Sequence, residues 1–242
     1  MTRTQQRWAL GLVVVLLFLL VMGGPEVIDT LENGPRIGPS TMEGPDGLIP
    51  DSPEDLAAAA GVDVNAYALS RCLASEHPRD ATPYLRCVAW AVRNKAAEKG
   101  VSVLRLLTDG AGVAGDDHFG EQKAAAGTKY ASTRDDPRRR HVQVASEVMA
   151  SPTSADLTQG ATHFYSPKAQ DALARKAQAL QDRLDAGEEL TAQERSYLKY
   201  LGKDAAFIDA SWRAKGLYPG GAERVVPEGI DAEVLTLYRR IA

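Results

Sequence analysis

The sequence contains few of the residues that build metal centres and nucleophilic sites. Among its 242 residues are only two cysteines and four histidines. The histidines lie far apart, and none has the H-E-x-x-H spacing that places two imidazoles on one helix face. A G-x-S-x-G turn, a phosphate-binding loop and a dinucleotide-binding glycine pattern are also absent from the sequence. We therefore expect neither a metal nor an organic cofactor.

The chain also lacks a strongly basic composition. Its formal net charge is -4, with 44% hydrophobic and 25% charged residues. Proteins that bind nucleic acid usually carry a concentrated positive surface, so nucleic acid is not predicted as a partner. Length and composition are ordinary for one globular domain with appendages.

Long apolar runs are absent except near the N-terminus. Residues 1–7 contain two arginines, and residues 8–24 form an uncharged, mostly apolar run. Because the positive charge precedes this run, residues 1–7 are predicted to be cytoplasmic and the rest of the chain to be exported. The length of the run lies between that of a secretory signal and that of a short membrane span. We favour an anchor in the cytoplasmic membrane; a cleaved signal segment and a secreted protein are the alternative.

The two cysteines, Cys72 and Cys87, are compatible with one disulfide in an exported chain. Such a bridge would stabilise the fold by roughly 3 kcal/mol in the chain-entropy model. The alternative is two small buried side chains that do not meet. The sequence leaves both interpretations open.

The chain after the apolar run divides into three predicted parts. Residues 25–51 are rich in glycine and proline and are predicted to be a tether. Residues 52–185 are predicted to form a mainly α domain with a short extended element before Ser166, and residues 186–242 a helical extension packed on it, with a final helix from Asp231. Helix starts are marked by capping residues followed by proline and by one capping box: Ser52-Pro53, Thr82-Pro83, Asp136-Pro137, Ser166-Pro167 and Thr191 with Glu194.

Glu76 stands out as a carboxylate on an apolar helix face. Between Asn65 and Glu76, helical periodicity places Ala66, Leu69, Cys72, Leu73 and Glu76 on one stripe. A carboxyl group against apolar neighbours is costly to ionise, so its pKa rises and it can hold a proton for a leaving group. The alternative is a helix that frays before Glu76 and leaves the side chain in water.

Two other side chains with ligand-binding chemistry are interpreted as core. Trp90 lies opposite the apolar stripe of the helix that is predicted from Pro83, and a second layer of protein is expected to cover it. His141 falls on the same stripe as two valines and is expected to be a buried histidine with its hydrogen bonds satisfied.

Three segments together resemble a known family. They are Glu76 at the end of an apolar helix, Val88-Ala89-Trp90-Ala91-Val92-Arg93-Asn94, and Gly160-Ala161-Thr162-His163-Phe164-Tyr165-Ser166-Pro167-Lys168-Ala169. In this order they resemble the spore-cortex-lytic type of cell wall hydrolase over residues 65–174. The resemblance implies a compact, lysozyme-like helical domain that cleaves the glycan strands of peptidoglycan, with Glu76 as the catalytic acid and Tyr165 lining the cleft.

The chain departs from the family pattern at two places. After Glu76 it has His77-Pro78-Arg79-Asp80, where the family has a small residue, an arginine, a glycine and a second acid. In the cleft loop, either residues 118–122 or residues 130–133 correspond to the family's Gln-Phe-Ser segment. By this resemblance, the residues expected to contact sugar are the aromatic side chains Tyr130, Phe164 and Tyr165 and the polar side chains Gln122, Ser132 and Asn94.

The type of cleavage depends on a second carboxylate. A hydrolase that uses two carboxylates needs a second acid at a defined separation, for which Asp80, Glu121 and Asp136 are candidates. A lytic transglycosylase needs Glu76 alone, because the same carboxylate returns as the base. The alternative function is a non-catalytic module that binds peptidoglycan, including one within a virion or a secretion machine.

Overall fold

The computed structural model describes residues 53–76, 82–108 and 137–241. This part of the chain is mainly helical, as the sequence predicts. It also contains one small three-stranded sheet, where the sequence predicts only a short extended element before Ser166. The elements in chain order are α1 (Pro53–Ala59), α2 (Val64–Glu76), α3 (Thr82–Lys99), α4 (Val103–Thr108), α5 (Arg139–Ala150), β1 (His163–Tyr165), α6 (Pro167–Asp185), α7 (Ala192–Tyr197), α8 (Ala205–Ser211), β2 (Ala222–Val225) and β3 (Thr236–Arg240). A π-helical turn, Trp212–Gly216, follows α8 directly.

Side-chain caps begin several of these helices. The Ser166 hydroxyl accepts from the backbone of Ala169 at the start of α6, and Thr191 and Glu194 form the capping box of α7, both as the sequence predicts. The Asp63 carboxylate accepts from the Asn65 backbone N–H at 2.8 Å at the start of α2. Helix α3 includes Thr82, its predicted cap, and α5 begins at Arg139 rather than directly at Pro137. The predicted caps Ser52 and Asp136 lie outside the described residues.

The helical core lies between α2, α3 and α5. Helix α5 packs against both α2 and α3. The contact residues are almost all fully buried: Leu69 and Leu73 from α2, Val88 and Val92 from α3, and Val144 and Val148 from α5. Trp90 is only 3% exposed and belongs to this core, which confirms its interpretation from the sequence. The Arg93 guanidinium covers the Trp90 ring, 4.7 Å from its centroid.

The sheet has the strand order β1-β3-β2, and both pairings are antiparallel. Its central strand places Tyr238 opposite both His163 and Arg224. Because side chains alternate across a strand, the two faces of the sheet differ. Phe164, Val225 and Leu237 lie on the face that joins the helical core. On the other face, His163, Tyr165 and Tyr238 pack around Trp212 of the π-helical turn.

The C-terminal segment is only partly the helical extension that the sequence predicts. The helix after Thr191 and the helical stretch with Trp212 are present, but residues from Asp231 onward contain β3, the central strand, rather than a final helix. Leu235 and Leu237 are fully buried in the same core as α2 and α3. A central strand that is buried on both faces lacks the alternation of polar and apolar residues that marks a strand, so its short apolar run resembles a buried helix. Residues 186–241 therefore share the core of the domain.

Among the described helices, none is both long enough and apolar enough to cross a membrane. The predicted anchor at residues 8–24 and the predicted tether at residues 25–51 lie outside the described residues.

Candidate functional site

Glu76 is the last residue of α2 and is half-buried. The side chains before it on the predicted stripe, Leu69, Cys72 and Leu73, are fully buried in the helical core. The helix therefore does not fray before Glu76, and its carboxyl group lies where the core meets the surface.

Phe164 and Tyr165 do not share a binding surface, although the sequence predicts that both rings pack on sugars. As neighbours on β1 they point to opposite faces of the sheet. Phe164 packs against the helical core. The Tyr165 ring lies 5.2 Å from Trp212 and its hydroxyl donates to the Ala205 carbonyl at 3.1 Å. Burial raises the pKa of Tyr165, so its hydroxyl keeps the proton that it donates.

The Asn94 side chain forms hydrogen bonds with the turn that precedes β1. Its amide nitrogen donates to the Asp156 carboxylate at 2.8 Å and to the Ala161 carbonyl at 3.0 Å. The same carboxylate accepts from the backbone N–H groups of Thr158 and Gly160. These bonds join the turn before β1 to the middle of α3. We therefore reassign Asn94 from sugar binding, as the sequence predicts, to positioning β1.

A second buried polar contact also joins α3 to β1. The Lys95 ammonium lies 3.2 Å from Nε2 of His163, and both residues are buried. Because an ammonium group can only donate, Nε2 accepts and the ring proton is on Nδ1. That proton faces the Thr162 hydroxyl at 3.0 Å, with the Tyr218 hydroxyl next to it. The sequence offered no signal for this network, because Lys95 lies 68 residues and Tyr218 lies 55 residues from His163 along the chain.

The disulfide that the sequence leaves open is not formed, and Cys72 and Cys87 are both free, buried thiols. Each side chain is surrounded by apolar residues of the helical core. Burial, together with the negative charge of Asp156, raises the pKa of Cys87 to about 12, so this thiol stays protonated and unreactive. The alternative of two small buried residues is the one observed.

His141 is almost completely buried, as its place on the apolar stripe of α5 predicts. Its Nδ1 accepts from the backbone N–H of Arg138 at 3.0 Å and so caps the first turn of α5. Across residues 53–76, 82–108 and 137–241, no cluster of His, Cys, Asp and Glu side chains has the composition to hold a metal ion.

The remaining predicted site residues lie outside the described residues. They are the sugar-binding candidates Gln122, Tyr130 and Ser132 and the second-acid candidates Asp80, Glu121 and Asp136. Their roles stay predictions.

A groove of about 770 Å³ lies between α8, the π-helical turn and β2. Glu76, Asn94, Phe164 and Tyr165 do not line it. The groove could not be predicted from the sequence, because β2, which forms one of its walls, was not predicted. Glu76 and the groove are therefore two different candidate sites.

Comparison of the chain with protein-family models, with curated proteins and with solved structures finds no match.

Proposed function

We propose that this protein cleaves the glycan strands of peptidoglycan, as a muramidase or a lytic transglycosylase, with Glu76 as its general acid and base. The observation that carries the proposal is the place of Glu76 at the end of α2, half-buried behind fully buried Leu69, Cys72 and Leu73. A general acid must be exposed enough to reach its substrate and shielded enough from bulk water to direct its proton. The half-buried position of Glu76 supports the proposal.

The proposed reaction begins with transfer of the Glu76 proton to the glycosidic oxygen. The bond between that oxygen and the anomeric carbon breaks, and positive charge develops on the sugar ring. The carboxylate that remains then accepts a proton, either from water or from a hydroxyl of the same sugar. Water gives a reducing end, whereas the sugar hydroxyl gives an anhydro end. The second route needs no other carboxylate.

The predicted N-terminal segment would place this activity outside the cytoplasm. With residues 8–24 as an anchor and residues 25–51 as a tether, the domain would face the cell wall from the outer side of the cytoplasmic membrane. Peptidoglycan is then the substrate within reach, and the proposed chemistry needs no cofactor.

The test uses the full-length chain, purified in a mild detergent, on isolated peptidoglycan. We expect the wild type to release soluble fragments and Glu76→Gln to release almost none, because the amide cannot donate the proton. Glu228→Gln is the matched control, since Glu228 is an exposed acid in a turn. Unfolding curves of both variants should match the wild type.

The outcome also separates the alternatives. Full activity of Glu76→Gln would remove Glu76 from the mechanism. Binding to insoluble peptidoglycan without fragments, in wild type and variant alike, would instead indicate a non-catalytic wall-binding module. If fragments are released, mass analysis of their sugar ends distinguishes hydrolysis from transglycosylation.

A further inference from the structure

His163 of β1 and Lys95 of α3 form a buried contact between the sheet and the helices. The two residues are 6% and 5% exposed, and the Lys95 ammonium lies 3.2 Å from Nε2 of His163. The Glu98 carboxylate, 3.4 Å from the same ammonium, opposes its positive charge. An ammonium can only donate, so Nε2 must accept, which a neutral imidazole can do and a protonated imidazole cannot. The contact therefore requires a neutral His163.

Other neighbours of His163 surround the rest of its ring. The Thr162 and Tyr218 hydroxyls lie 3.0 Å and 3.4 Å from Nδ1. The Trp212 ring packs edge-on with 6.0 Å between the centroids, and Tyr238 is the strand partner on β3. In these contacts the histidine meets hydroxyl groups and aromatic rings, which can accept the Nδ1 proton but bring no negative charge to the ring.

The charged groups behind these neighbours contact the tyrosines. The Tyr238 hydroxyl donates to the Asp209 carboxylate, and the Arg240 guanidinium lies over the Tyr218 ring, 5.3 Å from its centroid. Among the contacts described for this cluster, the charge that reaches the imidazole directly is the positive charge of Lys95. A positive neighbour and burial both disfavour the protonated form of a histidine.

Protonation of His163 would break this contact. An Nε2–H group would then face the Lys95 ammonium, so the acceptor is lost and two positive charges meet inside the fold. In the unfolded chain the same imidazole takes up a proton near the ordinary pKa of histidine, about 6.5. The unfolded chain therefore binds one more proton than the folded chain in acid, and the folded state loses stability as pH falls below about 6.5.

We propose that the contact between Lys95 and His163 is a pH-sensitive switch, which fastens β1 to α3 at neutral pH and loosens it in acid. His163 is the first residue of β1, and its neighbour Phe164 packs against the helical core. Loss of the contact therefore acts on the junction between the sheet and that core. The switch does not involve Glu76 and does not rest on glycan cleavage.

Urea unfolding of the full-length protein in a non-ionic detergent, at pH 7.5 and pH 5.5, tests the proposal. Each variant is compared with itself at the two pH values, so a change in its overall stability cancels. His163→Gln cannot take up a proton and keeps an acceptor near the position of Nε2. The unfolding equilibrium constant should rise from pH 7.5 to pH 5.5 by about tenfold less in this variant than in the wild type, because unfolding no longer takes up that proton.

Lysine substitutions separate the contact from burial alone. Lys95→Met removes the second cation, so the rise between the two pH values should become at least threefold smaller. The same substitution should change the rise no further in His163→Gln. Lys168→Met, at an exposed lysine on α6, is the matched control and should leave the rise unchanged. Because the buried His141 also accepts a hydrogen bond at Nδ1, Lys95→Met is repeated in His141→Asn, where its effect should persist.

A direct measurement of the ring needs no variant. In protein that carries isotope-labelled histidine, NMR at pH 7.5 should show His163 neutral, with its proton on Nδ1. A ring that is protonated at this pH, or that carries its proton on Nε2, would overturn the proposal. An equal rise of the unfolding constant in the wild type and His163→Gln would do the same. An unchanged rise in Lys95→Met would assign the pH dependence to burial alone and would also exclude the switch.

Discussion

Glu76 and Asp209 are both partly buried carboxylates near helix ends, yet their surroundings differ. Asp209 accepts a hydrogen bond from Tyr238 and lies 3.4 Å from Arg213, so its charge is balanced within the fold. Glu76 ends α2, after side chains that are fully buried in the helical core. The two carboxylates therefore differ in place: Asp209 joins α8 to β3 through Tyr238, and Glu76 lies at the margin of the helical core. Under the proposed function, only Glu76 takes part in proton transfer.

Neutralising each carboxylate tests this comparison and should give the largest effects. We expect Glu76→Gln to lower the rate of glycan cleavage about 10²- to 10⁴-fold, the range of general acid catalysis, without lowering the free energy of unfolding. Asp209→Asn should keep the rate but lower the free energy of unfolding by about 1–3 kcal/mol, because it weakens the bond to Tyr238. Cleavage assays and urea unfolding measure both. If Asp209→Asn lowered the cleavage rate and Glu76→Gln lowered only the free energy of unfolding, Asp209 would be the candidate acid and Glu76 the structural carboxylate.

The next substitution tests whether the aromatic face of the sheet, formed by His163, Tyr165 and Tyr238 around Trp212, has a structural role. Trp212 contacts His163, Tyr165 and Tyr238. Trp212→Ala should lower the free energy of unfolding by about 3 kcal/mol, since it leaves a cavity between the π-helical turn and the sheet. Glycan cleavage, measured at a temperature where the variant is folded, should be retained. A stable but inactive variant would instead place the aromatic face in the active site.

Substitution of Asn94 tests whether its hydrogen bonds from α3 stabilise the turn before β1. Asn94→Ala removes the side-chain hydrogen bonds to Asp156 and to the Ala161 carbonyl, which join α3 to the turn. We expect a loss of about 2 kcal/mol in urea unfolding. Gln143→Ala is the control, because its amide bonds only to Glu147 on the surface, and its effect should stay within about 0.5 kcal/mol. Equal effects of the two substitutions would contradict the positioning role.

Tyr165→Phe gives a smaller and more discriminating change. It removes the hydroxyl that donates to the Ala205 carbonyl and keeps the ring against Trp212. The expected loss of unfolding free energy is about 1 kcal/mol, with unchanged glycan cleavage. A tenfold loss of cleavage at unchanged stability would return Tyr165 to the cleft, where the family resemblance places it.

The smallest effect concerns the surface pairing of Glu194. Hydrogen bonds from Arg183 and Thr191 lower the pKa of Glu194 to about 2 from 4.5. A depressed carboxyl pKa contributes stability above the unfolded value, and this contribution is lost as pH falls from about 4.5 toward 2. The difference in melting temperature between the wild type and Glu194→Gln should therefore shrink between pH 5 and pH 3. Added salt should shrink it as well.

The helices could be predicted from the sequence because their signals are local. The caps at Asp63, Ser166 and Thr191 bond to backbone groups two or three residues away, so each signal lies beside the helix that it begins. The place of Glu76 on its stripe follows from the same short-range periodicity. The disulfide could not be decided in this way, because spacing does not show whether two side chains meet.

What the sequence determined by itself is where α6 and α7 begin and the place of Glu76 at the end of α2. The tertiary structure alone decided that β3 is the central strand and that Phe164 and Tyr165 face opposite ways. The reason is physical. A helix closes its hydrogen bonds within four residues, whereas His163 finds its strand partner in Tyr238, and only the folded chain brings them together.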